Sequence, residues 1–168
     1  MLLAQKEQLI TWLNDAHAME LSLEKNLEDH IKDAANISEL RDGLEEHLLA
    51  TRRHAIRITE AVHRLGGTLS QVRSVVATAM GRLEGMATSL FKDEIVKDVL
   101  ADYAAEQFEV ACYTSLIAAA QEFGEAEVAD LCRKNLHEDQ AMAEWLRVQI
   151  PVVTRHYLTG TPVSFATA

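Results

Sequence analysis

Helix-breaking residues are scarce, with two prolines and seven glycines among 168 residues. Long stretches therefore run uninterrupted, and the good helix formers Ala, Leu, Glu, Arg and Lys fill them. Cysteine is too rare for a disulfide scaffold or a zinc ribbon. Cys112 and Cys132 stand alone inside helical patterns, and they read as small core residues in a reducing compartment. Basic residues are outnumbered, 16 against 26 acidic ones, for a net charge of -10. Such a surface repels nucleic acid and anionic membranes, and cations are its natural partners. There is no run of about 18 apolar residues and no basic segment followed by an apolar one at the start, so the expectation is a cytoplasmic protein with no membrane span. A phosphate-cradling glycine loop, a nucleophile elbow and a zinc-type cysteine pair are also missing, which leaves hydrolase and nucleotide-binding readings without support.

What is present is helical periodicity over a length suited to one domain. From about Leu3 to Asp33 the residues Leu9, Leu13, Ala16, Glu20, Leu23, Leu27 and His30 recur at spacings of three and four, the mark of one helix face. Ala34 to Ser38 breaks the pattern, with Ser38 the expected cap of the next helix. That second helix, about Glu39 to Leu65, carries Leu40, Leu44, His47, Thr51, His54, Ile58, Ala61 and Leu65, and Gly66 and Gly67 stop it. Thr68 to Lys92 is too long for a turn and too apolar for a disordered linker. It reads as a packed crossover with brief helical patches at Ser70 to Met80 and Arg82 to Phe91.

The third helix, about Asp93 to Phe123, has the stripe Ile95, Val99, Asp102, Glu106, Glu109, Tyr113, Leu116, Ala120 and Phe123, with Gly124 at its end. The fourth, about Glu125 to Ile150, shows Val128, Leu131, Asn135, Glu138, Met142, Trp145 and Gln149, and Pro151 is expected to close it. Two antiparallel hairpins joined by one long connection make an all-α, ferritin-like four-helix bundle. Residues 1–150 form the bundle, and 151–168 form a tail packed on the surface or on a partner subunit.

Residues equally far from a shared turn stand level in a helical hairpin. Glu20 and His54 have their midpoint at residue 37, in the first short loop, and Glu109 and Glu138 have theirs at 123.5, beside Gly124. Glu106 lies one turn from Glu109 on the same face. Converging buried carboxylates need protons, basic partners or a cation, and no Lys or Arg falls on the four stripes at these heights. Glu oxygens with a His nitrogen suit iron, manganese or zinc, and carboxylates from facing helices can bridge two ions. Taken singly, each Glu reads as an edge residue with its head in water, and each His as a hydrogen-bonded core residue. Both a metal site and a metal-free polar core that sets helix register therefore stay open. His47, two turns from His54 or about 10 Å along the axis, reads as structural. Tyr113 reads as core packing, with a hydrogen bond to a ligand carboxylate as the alternative. His30 belongs to no recognisable ligand spacing.

Five runs then carry a resemblance: LNDAHAMELSLEKNL, EEHLLATRRHAIRI, ATAMGRLEG, EQFEVACYTSLIAAA and NLHEDQAMAEWL. They resemble the YciE/YciF-type stress-protein family, ferritin-like proteins related to the rubrerythrin and bacterioferritin group. The resemblance implies a bundle with short extra helices in the crossover, a homodimer, and a link to stress responses. It also implies one or two metal ions held by Glu20, His54, Glu106, Glu109 and the Glu138–Asp139 pair, with oxygen or peroxide as the plausible reactant. The chain departs from the ferritin-like Glu-x-x-His repeat, because Thr51 precedes His54 and Ala141 follows Glu138. Relatives of the YciF type tend to be acidic where this chain has Ala50 and Ala143.

Overall fold

A computed structural model describes residues 2–70 and 93–160. Four long helices build it, α1 (Leu3–Asp33), α2 (Ser38–Arg64), α3 (Glu94–Glu122) and α4 (Ala126–Thr159), with a short 3-10 turn at Ala34–Asn36. The expected crossover patches, and the tail beyond 160, lie outside the described residues.

Every stripe residue read from α1 and α2 is buried. Ser38 does not cap α2. It is the first helical residue, Ile37 takes the cap position without a side-chain bond, and the Ser38 hydroxyl donates to Glu39 instead. Asp93 caps α3 by accepting from the Val96 backbone at 3.0 Å. Gly66 and Gly124 end α2 and α3 with φ of +65° and +77°, values that residues with a Cβ rarely adopt.

Pro151 does not close the fourth helix, which runs through it to Thr159. Pro151 and the residue one turn before it, Arg147, are both exposed, so the carbonyl left without a donor faces water. Val152 and Val153 beyond it are buried. Burying a Val side chain contributes about 1.5–3 kcal/mol, which offsets a helix-interior proline cost of about 3 kcal/mol.

Contacts between helices fix the topology. Glu24 and Glu28 of α1 hold Arg52 of α2, Arg57 and Arg64 of α2 reach Glu138 and Glu127 of α4, and His30 of α1 meets Asp102 of α3. Each of these pairs runs antiparallel. By contrast His47 meets Glu106 and His54 faces Tyr113, so α2 and α3 run parallel, an arrangement that no tight turn can join. Among the described residues the apolar core falls into two clusters, one around Leu9, Leu13, Ile58, Leu116 and Val128, the other around Leu27, Leu40, Leu44, Val99 and Leu146. Between them lies a layer of buried polar groups from all four helices.

Candidate metal centre

The layer is built on one residue or pair from each helix. Glu20 from α1, His54 from α2, Glu106 and Glu109 from α3 and Asp139 from α4 are all buried, none more than 3% exposed. Their approach follows the level argument: His54 Nδ1 lies 3.5 Å from Glu20 Oε2 and 3.3 Å from Asp139 Oδ1. Two overlapping triads result, Glu20 with His54 and Glu109, and Glu106 with Glu109 and Asp139. In each, one donor atom per residue lies within 4.8 Å of the others. Glu109 belongs to both.

Glu138 is at the right height but on the neighbouring face. Its carboxylate is 29% exposed and sits outside His54, with Oε2 3.0 Å from Nε2. Its neighbour Asp139 takes the inward place. Burial pushes the Glu138 carboxyl up, but hydrogen bonds from Arg57 and His54 outweigh that and hold it below the usual range. Arg57 lies off the stripes, as expected of every Lys and Arg at this height, yet its guanidinium reaches the layer's edge and donates to Glu138 at 2.8 Å and to Asn135 at 3.0 Å.

His47 is not a bystander either. Its Nε2 stands 2.7 Å from Glu106 Oε1, so the polar layer reaches along α2 to a residue two turns from His54. Burial pulls its pKa down, and the Glu106 carboxylate more than offsets this. Tyr113 is wholly buried, and its hydroxyl donates to Glu20 Oε1 while accepting from Asn135 at 2.8 Å. His30, which showed no ligand spacing, pairs with Asp102 at 2.7 Å in the second apolar half. The pairs His47–Glu106, Tyr113–Glu20 and His30–Asp102 cross between hairpins, where no shared turn relates the heights.

Electrostatics within the layer are unfavourable without positive charge. Burial raises Glu106, and it raises Glu109 and Asp139 far above their ordinary values, with repulsion from neighbouring carboxylates adding to each shift. Several atoms here have no hydrogen-bond partner: Glu20 Oε2, His54 Nδ1, Glu106 Oε2 and both Asp139 oxygens. Elsewhere on Glu20, His54 and Glu106 the other polar atom is anchored, by Tyr113, Glu138 and His47 respectively. Leaving a buried polar atom unsatisfied costs about 1–3 kcal/mol, more if it is charged, so this pattern suits a cation that collects the bare atoms.

The missing donors are not replaced. Ala50 and Ala141 line a groove of about 290 Å³ between α2 and α4 that also borders His47 and Glu138, and Ala143 is buried. Both thiols are free; burial pushes Cys112 up to about 11 and Cys132 up to about 12, which leaves them protonated and inert, as core residues should be.

Residues 4–159 match a protein family described as "Domain of unknown function (DUF892)". The chain belongs to this family. Among solved structures, this DUF892 chain is similar to a protein from Xanthomonas campestris pv. campestris, at 28% identity and a TM-score of 0.79 over 92% of this chain and 96% of that one. The stress protein YciF of E. coli shares the fold at 19% identity and a TM-score of 0.75, covering 95% and 100%. A bacterioferritin of Desulfovibrio desulfuricans, described with its diiron site, shares it at 22% identity and a TM-score of 0.74, covering 98% and 94%. The DUF892 chain thus has the ferritin-like bundle that its helix order implied. Among the described residues no helix is long and apolar enough to cross a membrane.

Proposed function

We propose that this DUF892 protein binds one or two divalent cations, iron or manganese before zinc, at the carboxylate and histidine layer, and serves a stress response by handling oxygen or peroxide there. The observation that carries the reading is the set of bare atoms on Glu20, His54 and Glu106, each anchored at its other polar atom, with both oxygens of Asp139 bare beside them. Glu20, His54, Glu106, Glu109 and Asp139 would hold the ions. Glu109, shared by both triads, is the candidate bridge between two of them. Bound iron would supply one-electron chemistry toward an oxidant. The chain's own residues do the rest: Tyr113 and His47 orient Glu20 and Glu106, and the flanking apolar clusters keep bulk water from the layer. The groove beside Ala50 gives a small molecule a path to its edge. The assembly we propose is a cytoplasmic homodimer, with Leu21, Leu49 and Ile56 exposed on α1 and α2 as its apolar contact.

The rival is a metal-free helical dimer. It is favoured by the absent donors at Ala50 and Ala143, and by the protons that the raised Glu109 and Asp139 would carry. Metal analysis of protein purified without chelators, with anomalous scattering at the layer, separates the two. Ions refined among Glu20, Glu109 and Asp139 support the first reading. Protein that stays empty and shows no thermal shift with Fe(II), Mn(II) or Zn(II) overturns it.

A further inference from the structure

Two hydrogen-bond chains leave the layer and end on the same guanidinium. Arg57 Nη2 donates to Glu138 Oε1 at 2.8 Å, and Glu138 Oε2 meets His54 Nε2 at 3.0 Å. Arg57 Nη1 donates to Asn135 Oδ1 at 3.0 Å, Asn135 Nδ2 donates to the Tyr113 hydroxyl at 2.8 Å, and Tyr113 donates to Glu20 Oε1. Each chain finishes on a residue of the first triad whose remaining polar atom is bare, His54 Nδ1 in one case and Glu20 Oε2 in the other.

Direction matters along both chains. A guanidinium only donates and a carboxylate only accepts, while a neutral imidazole has one nitrogen of each kind. With Glu138 taking the proton of Nε2, His54 is left with its lone pair on Nδ1, facing Glu20 and Asp139. On the other chain Arg57 demands the oxygen of the Asn135 amide, which turns the nitrogen toward Tyr113. Tyr113 then has only its own proton to give, and Glu20 receives it on the outward oxygen.

We propose that Arg57 orients the centre from outside, setting the His54 tautomer through Glu138 and the Glu20 carboxylate through Asn135 and Tyr113. Glu138 is on this account a positioning residue rather than a ligand. The inference rests on the cation-binding reading above for its purpose, though not for its geometry. The two acceptors lie one turn apart on α4, and the planar fork of arginine spans them where a lysine ammonium offers only a point charge. Arg53, with Nη2 3.6 Å from Glu138 Oε2, touches one chain alone.

The test uses the full chain and three variants, R57M, R57K and E138Q. Nitrogen-15 spectra of metal-free protein read the His54 tautomer directly, Zn(II) titration reads affinity, and circular dichroism reads the fold. Wild type should carry its His54 proton on Nε2. In E138Q the amide oxygen stays on Arg57 and its nitrogen faces Nε2, so the proton should move to Nδ1. In R57M the tautomer should become mixed, and Zn(II) affinity should fall about tenfold to a hundredfold, the range for losing an outer partner of a ligating histidine. R57K should recover part of that loss, since it can serve one chain but not both. A folded R57M with wild-type tautomer and affinity overturns the proposal. If R57M does not fold, E138Q decides alone, and an unmoved proton overturns it. If wild type binds no Zn(II), Fe(II) or Mn(II), the cation reading fails by itself, and the tautomer in R57M still supports or overturns the role of Arg57.

Discussion

Among the described residues the bundle buries acidic groups in two places, and three ligating residues converge in only one of them. In the second apolar half, His30 stands between two aspartates, with Nδ1 2.7 Å from Asp102 and Nε2 3.6 Å from Asp98. Asp98 Oδ2 and Asp102 Oδ2 are buried there without a hydrogen-bond partner, but no third ligating residue converges with them in the way of the two triads found among the described residues. The central layer differs in how many such atoms converge. Its anchors, His47, Glu138 and Tyr113, bond to the outer atoms, and the inner ones are left bare. Buried acid alone is therefore a poor sign of a cation site, because one histidine can neutralise it. The convergence of several ligating residues on one point is the better one.

The sharpest break of the comparison is by cation binding. Changing Glu106 and Glu109 together to Gln should abolish binding at the central layer. Changing Asp102 to Asn should leave affinity and stoichiometry as in wild type; calorimetric titration with Mn(II) reads both, and equal losses would erase the distinction. Next in size is stability. His30→Ala leaves Asp102 buried without its partner, which should cost about 3–5 kcal/mol in urea denaturation without changing the metal content of the loaded protein.

A third effect is the pH dependence of the metal-free protein. Burial pushes Asp98 up to about 7, with His30 opposing the shift and Asp102, Asp33 and Glu94 adding to it. Between about pH 4 and pH 7 the folded state then holds a proton that the unfolded state has lost, so stability falls as pH rises through this window. The difference between wild type and Asp98→Asn across that range should be on the order of 2–4 kcal/mol, at about 1.4 kcal/mol per pH unit. Thermal melts at stepped pH measure it. The smallest expected effect is a gain: Glu109→Gln puts a neutral group where burial makes the ionised carboxylate unfavourable, and should stabilise metal-free protein at neutral pH by about 1 kcal/mol, while weakening its response to added cation.

Much of this was legible in the residues, and the failures have a common cause. The seven-residue stripe of α1 and the eight of α2 are buried in full because a period near 3.6 is the direct imprint of a one-sided core. On α4 five of the seven stripe residues, Val128, Leu131, Asn135, Met142 and Gln149, are buried, but the core also takes in Asp139, Leu146 and Val153 and leaves Glu138 and Trp145 at its edge. Level arguments placed Glu20 beside His54, since both are counted from one loop. They had no purchase on His30 with Asp102, whose helices share no turn, nor on His47 with Glu106. Arg57 was invisible for another reason: a side chain of its length can act well away from where its Cα sits. Pro151 misled because its cost falls on a solvated face while the valines beyond it are buried.

The Asn135 amide, fixed with its oxygen toward Arg57 and its nitrogen toward Tyr113, has an effect on proton traffic. A hydroxyl or an imidazole can take a proton on one side and release one on the other. A carboxamide does neither without becoming a high-energy tautomer. The chain through Asn135 therefore transmits orientation and blocks charge, so a proton displaced from Tyr113 or Glu20 has no exit along it. The other branch, past His54 to the partly exposed Glu138, is built of groups that can both take and release a proton. The bundle is thus wired on one side and insulated on the other.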